Sequence, residues 1–294
     1  MMASLLVGTR DPRRERTFEL SLARIASVLA EAIGDPRPFD PHRLDARDPE
    51  TVRALLPLFE RVAGAYLRAE IEGEAHIRPG PALYVANHNG GIMGPRPLQH
   101  DEPALAQARS GRPALRHGAR PRDAAHPPPR SRAPAHRRMR AHRENALRAL
   151  RTGGAVLVYP GGDLDAYRPF SARDRIVFGP RAGFVRVARD AGVPIVPIVT
   201  QGAHRSAIIV HEGEWLARAL GLRAFARIER CPVALALPWG LAVGPWVPYL
   251  PLPFPLRVRV LPPIRVGKDD SVEMARRRVV RAMQRALDEL AARG

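Results

Sequence analysis

From residue 144 to residue 202 the chain alternates between two kinds of apolar pattern, and few folds accept that alternation. ENALRALRTGG at 144–154 has helical spacing and runs out into Gly153 and Gly154. AVLVY at 155–159 is a short, unbroken apolar run. RAGFVRVARDAG at 181–192 is helical again and closes on Gly192, and VPIVPIVTQG at 193–202 is a second apolar run. Strands that are apolar throughout are buried on both faces, and helices between them return the chain to the same end of a sheet. The order therefore predicts an α/β fold, a mostly parallel sheet flanked by helices. Upstream, AEIEGEAHI at 69–77, the turn RPGPA and LYVAN read as a strand, a tight turn and a more buried strand. PLRVRVLPPI at 255–264 supplies a further strand. A last helix is expected over 271–292, with Ser271 as its N-cap and Glu273 in its first turn.

Ahead of this α/β region, apolar residues fall at helical spacing in 17–33 (Leu22, Ile25, Leu29, Ile33) and 50–66 (Val52, Leu55, Leu56, Phe59, Val62, Tyr66). These predict an N-terminal pair of amphipathic helices. Their polar faces are mixed in charge, which favours packing over lying on a membrane. The expected organisation is a helical region at 1–66, an α/β domain at 67–268 and a C-terminal helix at 269–294.

Composition narrows the partners. The chain has 294 residues and a formal net charge of +18, carried by arginine, since Lys268 is the only lysine. Such a balance favours anionic partners such as phospholipid headgroups or phosphorylated substrates. Cys231 is the only cysteine, so an intrachain disulfide is excluded and a reducing compartment is expected. The N-terminal MMASLLVGTRDPRRER has too short an apolar run for a secretory signal. The longest uncharged stretch, 231–256, contains seven prolines and cannot form a straight membrane-spanning helix. With Trp239, Trp246, Tyr249 and Phe254 it reads as an apolar loop that packs on the domain or dips into a membrane interface.

Two strand ends carry the candidate chemistry. ALYVANHNGG at 82–91 places Asn87 and His88 at the end of one strand. AVLVYPGGDLDAYRPF at 155–170 places Gly161, Gly162, Asp163, Asp165 and Arg168 at the end of another. A histidine there can serve as a general base, because imidazole titrates near neutrality. Two glycines let main-chain N–H groups approach an oxyanion or phosphate, and an arginine can pair with a phosphate as a fork. Asp163 and Asp165 fit ordinary turn chemistry equally well. No nucleophile elbow, P-loop or dinucleotide fingerprint occurs, and the histidines at 117, 126 and 136 lack partners for a metal site.

Four blocks in order, VANHNGG at 85–91, RENALRALRTGG at 143–154, VLVYPGGDLDAYRP at 156–169 and GFVRVARDAGVPIVPIVTQGAH at 183–204, resemble the glycerolipid acyltransferase superfamily. They are most similar to its branch with Asn-His and Pro-Gly-Gly turns, described as lysophospholipid or diacylglycerol acyltransferase-like. The resemblance covers roughly 65–265 apart from 96–138. It implies transfer of a fatty acyl group from acyl-CoA or acyl carrier protein to a glycerolipid hydroxyl, in phospholipid synthesis. It further implies His88 as catalytic base, and Asn87, Gly161, Gly162, Asp163 and Arg168 on the substrate-binding side. No metal and no bound cofactor are expected. The expected partners are the acyl thioester donor, the glycerolipid acceptor and the membrane surface, with no nucleic acid. The expected location is the cytoplasm, peripheral to the inner face of the membrane. Family members orient the histidine with a downstream aspartate. Here the positions where that acid would fall are Met93 and Arg96. A rival of another class is a non-catalytic lipid- or anion-binding protein with a basic tether.

Residues 96–138 read differently from the rest. They contain no Val, Ile, Phe, Tyr, Trp or Thr, but ten arginines, eight prolines and four histidines. No apolar period runs through them, so no regular structure is expected. Such a stretch can be a basic disordered insert, an arm for nucleic acid or lipid, or a frame-shifted passage in a GC-rich gene. The frame-shifted reading is favoured, because the flanks look like two halves of one domain. It has a direct check in the coding DNA. An adjacent frame should open with aspartate just after Pro95 and continue for about 40 residues with helical apolar spacing and several aromatics. Alternative frames full of stop codons would refute it. On this reading, 96–138 is protease-sensitive and the chain shows little acyl transfer.

Overall fold

The computed structural model describes residues 60–77, 79–88, 143–205, 208–222, 230–236, 240–244 and 252–293, and the backbone of strands at 115–119 and 138–140. The expected helix at 17–33 and most of that at 50–66 lie outside the described residues. Within the second, Val62–Tyr66 is a single π-helical turn.

The main sheet has seven strands: β1 (Glu70–Glu72), β2 (Leu83–Ala86), β3 (Leu115–Ala119), β4 (Arg138–Arg140), β5 (Ala155–Val158), β6 (Ile195–Gln201) and β10 (Arg257–Val260), in spatial order β1-β10-β6-β2-β5-β3-β4. Only the β10–β6 pairing is antiparallel; the other five are parallel. The mostly parallel α/β sheet expected from the apolar runs is therefore present. Its three central strands, β5, β2 and β6, are parallel neighbours, so their carboxyl ends share one edge of the sheet.

Helices α1 (Arg143–Arg151), α3 (Gly183–Ala191) and α5 (Val272–Ala291) cover one face. Leu147, Leu150, Phe184, Val185, Val279, Met283 and Leu287 pack there against Leu83, Val85, Val156 and Ile195. The other face buries Tyr84, Ala86, Leu157, Val196, Ile198, Val258 and Val260 with Ile77. The helix ends follow the sequence signals. Gly192 closes α3 at φ 66°, a left-handed conformation that favours glycine. Ser271 caps α5 by accepting from the Met274 N–H.

Two expectations need correcting. Regular structure occurs inside 96–138, where β3 pairs with β5 and β4, and Arg138 begins β4. Strand pairing uses main-chain groups, so it needs no apolar period in the side chains. The rest of that segment lies outside the described residues. The stretch 231–256 is not simply a loop. Strands β8 (Val233–Ala236) and β9 (Gly240–Val243) form a hairpin that joins β7 (Ile208–His211) in a separate antiparallel sheet. None of the seven prolines in 231–256 falls within β8 or β9, where a ladder hydrogen bond would be lost. Trp239, Trp246 and Tyr249 lie outside the described residues. No helix among the described residues is long and apolar enough to cross a membrane.

Candidate functional site

Parallel strands gather the two motif tips. β2 runs into Asn87 and His88, its neighbour β5 runs into Tyr159-Pro160-Gly161-Gly162, and its other neighbour β6 runs into Gly202 and His204. Open parallel sheets commonly bind ligands outside the carboxyl ends of their strands.

Asn87 is fully buried. Its Nδ2 donates to the Thr200 carbonyl at 2.9 Å, and its Oδ1 accepts from the Thr200 N–H at 2.9 Å. The side chain thus extends the β2–β6 ladder by one rung and fixes where β2 ends. Both ends of its amide are engaged with the Thr200 main chain, so the side chain supports the turn.

His88 follows, half-buried, with its ring 4.7 Å from the Tyr159 ring at a tilt of 31°. Its main-chain N–H donates to Asp165 Oδ2 at 2.5 Å. Asp165 sits on the short helix α2 (Asp163–Ala166) and is fully buried. Its Oδ1 accepts from Arg168 Nη1 at 2.6 Å and from the Val177 N–H at 3.0 Å. Burial pushes the Asp165 carboxyl up from its ordinary value, against the opposing pull of Arg168 and the two N–H donors. The carboxylate joins three segments: the His88 turn, its own turn and the chain at Val177.

Arg168 is expected to hold an external anion, and the structure corrects this too. Its side chain is only 2% exposed. The anion it holds is Asp165, and its Nε and Nη2 donate to the Arg173 carbonyl. Burial lowers its pKa, while Asp165 raises it. Arg168 is a positioning residue for Asp165.

The glycines are required for a different reason from the expected one. A Cβ at Gly161 would stand 2.2 Å from Asp165 Cβ and 2.7 Å from the Val177 carbonyl oxygen. Only glycine lets the turn close on Asp165. Gly162 sits at φ 50°, and its N–H donates to the Tyr159 carbonyl at 3.2 Å, so that amide is used inside the turn. Asp163 bonds within the site as well, its Oδ1 accepting from Arg181 Nη2 at 2.8 Å. Arg181 also donates to the Gly161 carbonyl. Among the described residues no group of three His, Cys, Asp or Glu side chains is placed to hold a metal ion.

Two participants escaped the sequence reading. Arg181, 23% exposed, presents its guanidinium at the Gly161 tip where Arg168 was expected. His204 is buried near the His88 main chain, and neither ring nitrogen makes a well-formed hydrogen bond among the described residues. Burial and then the nearby Arg168 charge hold its pKa well below 6.5, with a smaller opposing pull from the His88 main chain. The signal was available: VPIVPIVTQG at 193–202 reads as a strand, and His204 stands just past its end.

If the Asp165–Arg168 pair organises the turn, Asp165→Asn strands a buried cation and should cost about 3–5 kcal/mol. Asp165→Leu with Arg168→Met should recover much of that stability. Denaturant unfolding measures both, and a cost below about 1 kcal/mol for the single change would reject the role.

His204 gives a pH signature. Below the ordinary imidazole value of 6.5 the unfolded chain takes up a proton that the folded chain refuses. Stability is therefore full above 6.5 and falls as pH drops below it, down to the depressed folded value. His204→Phe should flatten that part of the profile. An unaltered slope between about pH 7.5 and 5.5 would show that His204 titrates alike in both states.

The comparisons with known proteins come on top of this geometry. Residues 128–201 match the model of the Acyltransferase family. The match takes in β5 and the Pro-Gly-Gly turn and ends at β6, while the His88 block lies before it. Uncharacterised proteins of Mycobacterium bovis (Mb0514) and Mycobacterium tuberculosis (Rv0502) are 30% identical over 226 residues. The alignment covers 70% of this chain but 57% of theirs, so the chain spans little more than half the length of these relatives. The crystal structure of the 1-acyl-sn-glycerophosphate acyltransferase PlsC from Thermotoga maritima overlaps 96% of this chain and 99% of its own, with a TM-score of 0.49 and 16% identity. The segment 128–201 thus matches an acyltransferase family model, in line with the superfamily that the sequence blocks resemble.

Proposed function

We propose that this chain transfers a fatty acyl group from a thioester, acyl-CoA or an acyl carrier protein, to a glycerolipid hydroxyl at the cytoplasmic face of a membrane. The observation that carries the reading is the convergence of the Asn-His and Pro-Gly-Gly-Asp tips, with a buried carboxylate of one tip gripping the main chain of the other. His88 Nδ1 or Nε2 accepts the acceptor's hydroxyl proton as the oxygen attacks the thioester carbonyl. The C–S bond then breaks, and the thiolate takes the proton back from the imidazolium, leaving an ester and a free thiol. Asn87, Asp165 and Arg168 hold the turn that carries His88. Arg181 is the cation presented beside Gly161, where a phosphate of donor or acceptor would be met. The chemistry needs no resident metal or cofactor.

Thiol release from acyl-CoA, measured on the full chain with a lysophospholipid acceptor, tests the proposal. His88→Ala should lower the rate by about 10²–10⁴-fold with the circular dichroism spectrum and unfolding midpoint unchanged. Activity within a few-fold of the parent would remove His88 from the mechanism. A folded parent without acceptor-dependent thiol release would instead favour a non-catalytic lipid-binding role.

A further inference from the structure

The small sheet of β7, β8 and β9 is apolar on both faces except at His211, the last residue of β7. Toward the body, Ile209, Ala234 and Ala242 stand in one cross-strand row, and Ile209 packs on Ala166 and Tyr167 of the turn that carries Asp165. An antiparallel sheet seated in this way ordinarily turns polar side chains outward. Here Ile208, Leu235 and Leu241 form the next cross-strand row, Val233 and Val243 stand in another with His211, whose Nδ1 accepts from the Gly213 N–H at 2.8 Å, and Val210 stands at the irregularity in β7. Val210, Leu235, Leu241 and Val243 are 56, 46, 63 and 46% exposed. Helix α4 (Glu214–Ala219) follows β7 and exposes Trp215, with Leu220 exposed just beyond it. Apart from His211, these sheet positions are aliphatic, and no charged residue occurs anywhere in 231–256.

We propose that this outer face docks the protein on an anionic phospholipid bilayer, with the Ile208–Leu235–Leu241 row entering the boundary between headgroups and acyl chains. Contiguous exposed aliphatic surface marks a place that a partner covers. Charge selects the partner. A chain of net charge +18 repels a second copy of itself and is drawn to anionic headgroups. The sheet's inner face lies on the turn that grips the His88 main chain, so docking here sets the membrane next to the site. The link to catalysis rests on the acyl transfer proposed above, whereas the docking surface stands on the sheet alone.

Co-sedimentation of the full chain with vesicles, without substrate, tests it. Phosphatidylcholine vesicles containing about a third phosphatidylglycerol should bind the parent, and about 0.5 M salt should weaken the binding without abolishing it. Leu235→Glu with Leu241→Glu should reduce partitioning at least tenfold, while His88→Ala should bind like the parent. That control separates failure of docking from failure of the catalytic reading. In case the double variant does not fold, Leu241→Cys carrying an environment-sensitive fluorophore gives a second readout, expected to shift blue on vesicles. Binding that salt abolishes, or an unshifted fluorophore on bound vesicles, overturns the proposal. So does a parent dimer that the same variants dissociate in a protein with no vesicle binding.

Discussion

The Asp165 carboxylate faces three donors at once: the His88 N–H, the Val177 N–H and the Arg168 guanidinium. A buried carboxylate with fewer partners would be costly, and so would a buried arginine without one. Neither residue can be exchanged alone, and each fixes the other's surroundings. Gly161 has no room for a side chain because Asp165 and Val177 press on it. Arg168 spans to the Arg173 carbonyl and pulls the following segment inward. The imidazole of His88 is carried on a main chain whose N–H is already committed, so the turn cannot swing without breaking the charged network.

This changes what the missing acid means. The family resemblance leads to an aspartate acting on the histidine ring, and positions 93 and 96 hold methionine and arginine. Asp165 acts on the same residue through its main chain. That contact is made to the main chain and fixes where His88 stands, whereas the family's carboxylate acts on the imidazole itself. On the acyl transfer proposed above, placement of the base and electrostatic support of its imidazolium are separable tasks, and the buried pair performs the first.

Much of the sheet was legible because its strands are pure apolar runs and its helices end in glycine or begin at serine. Asn87 and His88 were legible as a strand end, and the Pro-Gly-Gly-Asp turn as another. The direction of the charged side chains was not. YPGGDLDAYRPF shows an aspartate and an arginine three residues apart, and nothing in that spacing says whether they face solvent or each other. Burial of the pair depends on Val177 and His88, which are distant in sequence. The β8–β9 hairpin was hidden for a related reason. Prolines dominate the composition of 231–256, yet they punctuate the strands instead of interrupting them. Its outer face lacks the polar alternation by which a half-exposed strand is recognised.

Sheet order also limits what residues 96–138 can do to the site. β2 lies between β5 and β6, and the hydrogen bonds of Asn87 and His88 at its end reach Thr200 of β6 and Asp165 in the turn after β5. β3 and β4 are added outside β5, at one margin of the sheet, two and three places away from β2. The Asn87–Thr200 and His88–Asp165 contacts use no residue of β3 or β4. Parallel pairing asks only for main-chain groups, so LRHGA can occupy a place that another sequence would fill. What a changed segment would remove is any side chain it contributes beyond β2, including an acid directed at the His88 ring. A chain of this kind can keep a well-formed His88 turn while lacking a group that the proposed chemistry would need. Folding and activity are therefore expected to part company in this protein, because the interactions that build the turn and those that would finish its chemistry come from different stretches of sequence.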